Sequence, residues 1–176
     1  MPTSVPGIST NSGFTLLEIM VTVVLIGIIA SFAVLAVRGD DPNERLAREA
    51  YRLYARLELE QQEAMLRGEQ RGVLFTTTGY SFMVRNGRDE WGVLSDSSLP
   101  QSYSLPRGME MALNVDDRPV VLADSVGRQP QPQVLVLASG ELTPFLVTLG
   151  VSAEPGDRYA LAGDLVGHLQ LDQLAP

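Results

Sequence analysis

Hydrophobic and polar positions divide the chain into three unlike stretches. From Phe14 to Val37 there is no Pro, one Gly (Gly27) and one ionisable side chain, Glu18. At about 1.5 Å per residue this run makes a helix of roughly 36 Å, enough to cross a hydrocarbon core of about 30 Å. It predicts a membrane span. From Asn43 to Arg67 the period changes: Leu46, Ala50, Leu53, Leu57 and Ala64 recur at helical steps, with Tyr54 and Met65 beside them. Asp41 fits an N-cap, Pro42 the first helical position and Glu44 the place of a capping-box acid, while Gly68 ends the helix.

Beyond Gly72 the pattern becomes extended. Val73–Thr77 and Tyr80–Val84 flank the turn signal Thr78-Gly79, and Trp91–Leu94 follows as a third strand. Ser95–Pro106 reads as loop, Met109–Val115 alternates as a half-buried strand, and Val120–Leu122 follows the turn Asp116–Pro119. Gly127–Pro132 is a polar loop. Gln133–Ala138 and Thr143–Leu149, joined by Ser139-Gly140-Glu141, predict a second strong hairpin; Arg158–Leu161 and Gly167–Leu171 predict the last strands. The fold class that follows is α+β, a long N-terminal hydrophobic helix and then a small antiparallel β-sandwich head with a helix as one wall.

The carboxylate near the start of the apolar run is the first chemical question. An acid near the centre of a membrane helix costs upward of about 2.5 kcal/mol and usually has a partner or a function. Glu18 is one helical turn from Phe14, so a cut after Gly13 would place a new α-amino group and this carboxylate on one helix face. The alternative is that Glu18 lies at the headgroup level and marks the start of the span.

The hexapeptide Gly13-Phe14-Thr15-Leu16-Leu17-Glu18, standing before an unbroken apolar run, resembles the class III signal of type IV pilins and type II secretion pseudopilins. That resemblance implies cleavage between Gly13 and Phe14 by a prepilin peptidase and methylation of the Phe14 amine. It also implies that Glu18 helps neutralise a Phe14 amine during filament assembly. Residues 1–13 depart from the family pattern in carrying no Lys or Arg. The competing reading is an ordinary secretory signal cut near Val34-Leu35-Ala36, which the missing basic n-region, Glu18 and the length of the run disfavour.

Further along, the pairing of the early Val-Leu-Phe…Gly-Tyr-x-Phe pattern with the late Ser-Gly-Glu-Leu-Thr-Pro-Phe pattern is similar to the H-type minor pseudopilins. On this resemblance residues 1–13 are a leader peptide, 14–38 the transmembrane and filament-core helix, 39–71 a periplasmic amphipathic part of the helix and 72–176 the β-rich head. The implied protein is a structural subunit of the bacterial inner membrane, single-pass, with its head in the periplasm. It would be assembled near the tip of a pseudopilus that drives export. Its implied partners are other minor pseudopilins, the major pseudopilin, the prepilin peptidase and inner-membrane lipid. Loops 95–106 and 127–132 are the candidate contact surfaces. The rivals are a minor pilin of a type IV pilus and a DNA-uptake pilin.

Composition narrows these. Residues 72–176 hold 12 acids against 6 Arg, the formal net charge of the chain is −8, and all 13 basic residues are Arg. No basic patch for nucleic acid is expected. With one His (His168), no Cys and no Lys, neither thiol nor Schiff-base chemistry nor a Walker loop is available, and no Gly-x-Ser-x-Gly elbow occurs. The expectation is a non-enzyme with no cofactor and no small-molecule substrate. Asp157, Asp164 and Asp172 lack the spacing of a calcium loop, so no metal is expected. On the amphipathic helix, Arg48, Arg52 and Arg56 form a like-charge row that Glu44, Glu49 and Glu60 can relieve. The row is read as a solvated face, with contact to acidic neighbours in an assembly as the alternative.

Overall fold

The computed structural model describes residues 15–37, 41–93, 99–127, 130–152 and 157–174, with side chains of the first stretch described through Ser31. The chain divides into two compact units, 1–40 and 41–176.

The first unit contains α1 (Leu16–Val37), whose sole acid in the first turn is Glu18. The second begins with α2 (Pro42–Arg67). Asp41 caps it as the sequence predicts, its carboxylate accepting from the Asn43 N–H at 3.0 Å, and Pro42 opens the first turn. Gly68 closes it at φ 66°, a left-handed conformation suited to glycine, and its N–H reaches the Ala64 carbonyl.

Two antiparallel sheets complete the head. The first contains β1 (Arg71–Thr76), β2 (Gly79–Arg85), β3 (Trp91–Val93), β4 (Ser102–Ser104) and β7 (Val134–Val136), in the order β3-β2-β1-β7, with β4 also on β2. The second contains β5 (Met109–Val115), β6 (Arg118–Val120), β8 (Phe145–Val151), β9 (Arg158–Gly163) and β10 (Leu169–Leu174), in the order β10-β9-β8-β5-β6. One core joins Leu46, Leu53 and Leu57 of α2 to Phe75 and Phe82 of the first sheet and to Val147 and Leu161 of the second. Burying each such side chain contributes about 1.5–3 kcal/mol, so the periodic face of α2 is what closes the head.

Three expectations are corrected. The segment read as loop before Pro106 contains β4, which pairs with Gly79–Ser81. A Cβ on Gly79 would collide with the Tyr103 carbonyl, so the glycine admits the close approach of this strand. The strand after Asp116–Asp117 is Arg118–Val120 rather than Val120–Leu122, because both aspartates take positive φ and the turn is only two residues long. The late hairpin forms only at its tip. Leu137 N–H donates to Glu141 O and Thr143 N–H to Leu135 O, at 2.9 and 3.0 Å, but then β7 pairs with β1 while β8 pairs with β5 and β9. Pro144 stands at the switch, where it has no N–H to continue the ladder.

Candidate assembly site

Thr15 and Glu18 stand in the N-cap and N3 relation at the start of α1. The Glu18 N–H donates to the Thr15 carbonyl at 3.0 Å and lies 3.3 Å from its hydroxyl oxygen. Such a capping-box position also places an acid where the helix dipole favours negative charge. Thr-x-x-Glu ahead of an apolar run is legible in sequence, and neither sequence reading of Glu18 used it. The hydroxyls of Thr22 and Ser31 donate back to Glu18 O and Gly27 O at 2.6 and 2.8 Å, which turns their polar hydrogens onto the helix itself. Every described side chain from Thr15 to Ser31 is exposed. Among the described residues no helix is long and apolar enough to cross a membrane; the backbone of α1 continues beyond the described side chains to Val37. Gly13 and Phe14 lie outside the described residues, so of the predicted processing and assembly residues the structure places Glu18 alone.

In the head, the arginine row is not a solvated face throughout. Arg48 pairs with Glu44 at 3.6 Å and Arg52 with Glu49 at 2.8 Å, both arginines half-exposed. Arg56 is buried at 6 %, 2.6 Å from Glu60 and with its guanidinium over the Phe82 ring at 5.2 Å. Glu60 also accepts from Arg71, which is buried and reaches Glu63 and Glu69 at 3.4 Å. Arg56 Nη2 and Glu60 Oε1 form a charge pair, while Glu60 Oε1 and Arg56 Nε have no hydrogen-bond partner. About three turns before Glu60 on the same helix, buried Glu49 accepts from the Tyr80 hydroxyl at 2.8 Å. Burial first, and then the Glu49 carboxylate, hold that phenol far above its usual pKa. Tyr103 of β4 stacks on Tyr80 at 5.1 Å. These charges bind α2 to the first sheet.

A second polar tether runs to the turns. Gln61 Nε2 donates to Gly140 O at 2.6 Å and Gly167 O at 2.9 Å, joining α2 to the β7–β8 and β9–β10 turns. His168, expected in a strand, lies just before β10; its backbone N–H donates to Asp164 at 2.8 Å and its ring Nδ1 stands 3.1 Å from the same carboxylate. Those bonds hold the Asp164 carboxyl below its ordinary pKa. Asp157 and Asp172 bond instead to Gln173 and Gln170. Among the described residues no group of three or more His, Cys, Asp or Glu side chains could hold a metal ion.

An apolar N-terminal helix opening on Thr15 and Glu18, followed by a helix-backed antiparallel head, defines a pilin-like protein. Residues 8–34 match the family model of the prokaryotic N-terminal methylation motif. The chain is 31 % identical to type II secretion system protein H of Pseudomonas aeruginosa over 164 residues, covering 88 % of this chain and 91 % of that protein. It is 29 % identical to the Aeromonas hydrophila protein of the same name over 175 residues, 93 % and 94 % of the two chains. The structure resembles that of the minor pseudopilin EpsH from the Vibrio cholerae type 2 secretion system, with a TM-score of 0.61 at 27 % identity over 75 % of this chain and 98 % of the other. The chain belongs to the type II secretion system protein H family, the H-type minor pseudopilins.

Proposed function

We propose that this minor pseudopilin is cut between Gly13 and Phe14 by a prepilin peptidase, methylated at Phe14, and built by α1 into a periplasmic pseudopilus near its tip. Residues 1–13 are then the leader, 14–38 the helix that spans the inner membrane once and later packs in the filament core, and 39–71 with 72–176 the periplasmic part. At about 1.5 Å per residue the 22 residues of α1 reach about 33 Å, long enough for a bilayer core of about 30 Å. The observation that carries the reading is an exposed apolar helix whose one acid stands in its first turn, five positions after the Gly13-Phe14 junction. Once Phe14 is the chain terminus, its amine and the Glu18 carboxylate supply opposite charges that would each be unpaired in lipid, so neighbouring subunits gain by bringing them together. Other minor pseudopilins and the major one are its partners. The role is structural, with no catalysis, cofactor or nucleic acid involved.

Glu18→Ala tests this in the native host. Membrane insertion and cleavage remain near wild-type levels, while incorporation into the filament, read by crosslinking to the other pseudopilins, falls several-fold. Wild-type incorporation of Glu18→Ala removes the pairing role.

A further inference from the structure

The outer strands of the two sheets are blunted at every edge but one. In the first sheet β3, β4 and β7 have three residues each. Leu135 of β7 already uses both main-chain groups on Thr143, its N–H donating to the hydroxyl at 3.1 Å and its carbonyl accepting from the N–H at 3.0 Å. In the second sheet β6 is also three residues long and contains Pro119, which has no N–H to donate. β10 differs. It runs for six residues without Pro, Lys or Arg, and among the described residues its only backbone ladder is the one to β9. Short strands, Pro and Lys are the means by which proteins keep a sheet edge from pairing, so an unblunted edge of this length is suited to adding a strand.

The residues along β10 indicate which strand. Leu169 and Leu171 face inward, half-buried against the core, while Gln170 and Asp172 stand exposed on the outer face. On β9 those two polar side chains face only Ala162 and Ala160, and they bond to each other at 2.9 Å. When two identical strands pair antiparallel about a two-fold axis, one residue faces its own copy. With Leu171 on the axis, Leu171 meets Leu171, Gln170 meets Asp172 in both directions and no like charges are opposed. With Asp172 on the axis two carboxylates would face each other, and with Gln170 there Asp172 would meet His168, whose ring is already turned to Asp164 at 3.1 Å. We propose that β10 pairs antiparallel with β10 of a second copy of this chain, centred on Leu171, so that the two second sheets become continuous. The half-buried leucines cover one another at the seam, and each Gln170 amide donates across it to Asp172. Such an isologous contact closes on itself and does not propagate along a filament, so it holds the subunit in pairs before assembly. That role rests on the pseudopilin reading above; the pairing itself needs only the head.

The chain has no cysteine, so substitutions give unique thiols. Gln170→Cys and Asp172→Cys are placed on full-length copies with different tags and co-expressed in the host; both positions are exposed, so the head folds as before. Directly opposed Cβ atoms lie about 4.5–5.5 Å apart and diagonal ones further, so on mild oxidation the mixed disulfide is expected to exceed either like pair several-fold. It also exceeds the disulfide of Val121→Cys, a side chain 96 % exposed just past the opposite edge strand, β6. In a second arm Leu171→Cys gives a disulfide-linked pair whose yield falls several-fold with Gln170→Asp, which opposes carboxylates twice, and returns when Asp172→Gln is added. Mixed and like pairs in the random ratio, yields no higher than Val121→Cys, or no recovery on adding Asp172→Gln overturns the proposal, as does a Leu171→Cys adduct with another protein alone. The disulfide needs no filament. Its absence while wild type still crosslinks to the other pseudopilins defeats the pairing alone, whereas loss of those crosslinks by wild type defeats the assembly reading itself.

Discussion

Glu60 holds two arginines at once inside the head, and its replacement exposes what the buried charges contribute. Glu60→Gln keeps the shape but leaves Arg56 without its carboxylate and Arg71 with only its longer contacts to Glu63 and Glu69. Breaking a buried pair from one side costs about 3–5 kcal/mol, and the remaining acids put this variant near about 3 kcal/mol. Glu63→Gln removes a partly exposed partner and costs under about 1 kcal/mol. Urea unfolding of residues 41–176 reads both: the midpoint of Glu60→Gln falls sharply with an unchanged slope, and equal midpoints for the two variants would contradict the account. The burial of Arg56 was hidden in the sequence for a geometric reason. Residues four apart are displaced by about 40° around a helix of 3.6 residues per turn, so a row of three drifts by about 80°. Arg48 and Arg52 remain half-exposed while Arg56 has rotated under β2. Glu18 was legible as an acid needing a role, but its capping position was not drawn from Thr15.

At the scale of elements, α2 could be read almost residue for residue, because its period, its Asp41 cap and its Gly68 stop are local signals. Strand partners were harder to read. Gln133–Ala138 and Thr143–Leu149 are joined by a turn sequence that does form, yet Pro144 sends the second strand to the other sheet, and which sheet has room for it depends on residues far away in sequence. β4 was hidden by its Ser-rich composition, since it is held mainly by β2 and by the Tyr80–Tyr103 stack. The end of the loop 127–132, one of the two candidate contact surfaces, meets β1 at Pro132. Pro132 packs on Gly72, and the Gln133 side-chain amide donates to Phe75 O at 3.0 Å while its carbonyl accepts from Phe75 N–H at 2.8 Å. Gly72→Ala would put a methyl 2.7 Å from Pro132 Cβ and Cγ. Overpacking of this kind costs about 1–3 kcal/mol, so the variant head melts several degrees lower. An unchanged melting temperature would show that Pro132 is not held against β1.

For the whole molecule, class and family were legible because they rest on features that need no tertiary detail: an apolar run, a hexapeptide before it, and many short strands after one periodic helix. The matches to protein H relatives over nearly the full chain and to the EpsH structure bear out that reading. The central claim, that α1 becomes an assembly helix through cleavage at Gly13, is tested most directly by the intact mass of the protein isolated from its own host. A mass corresponding to a chain that starts at Phe14 and carries one added methyl group is the expected result, and a mature chain starting near Val37 would contradict it.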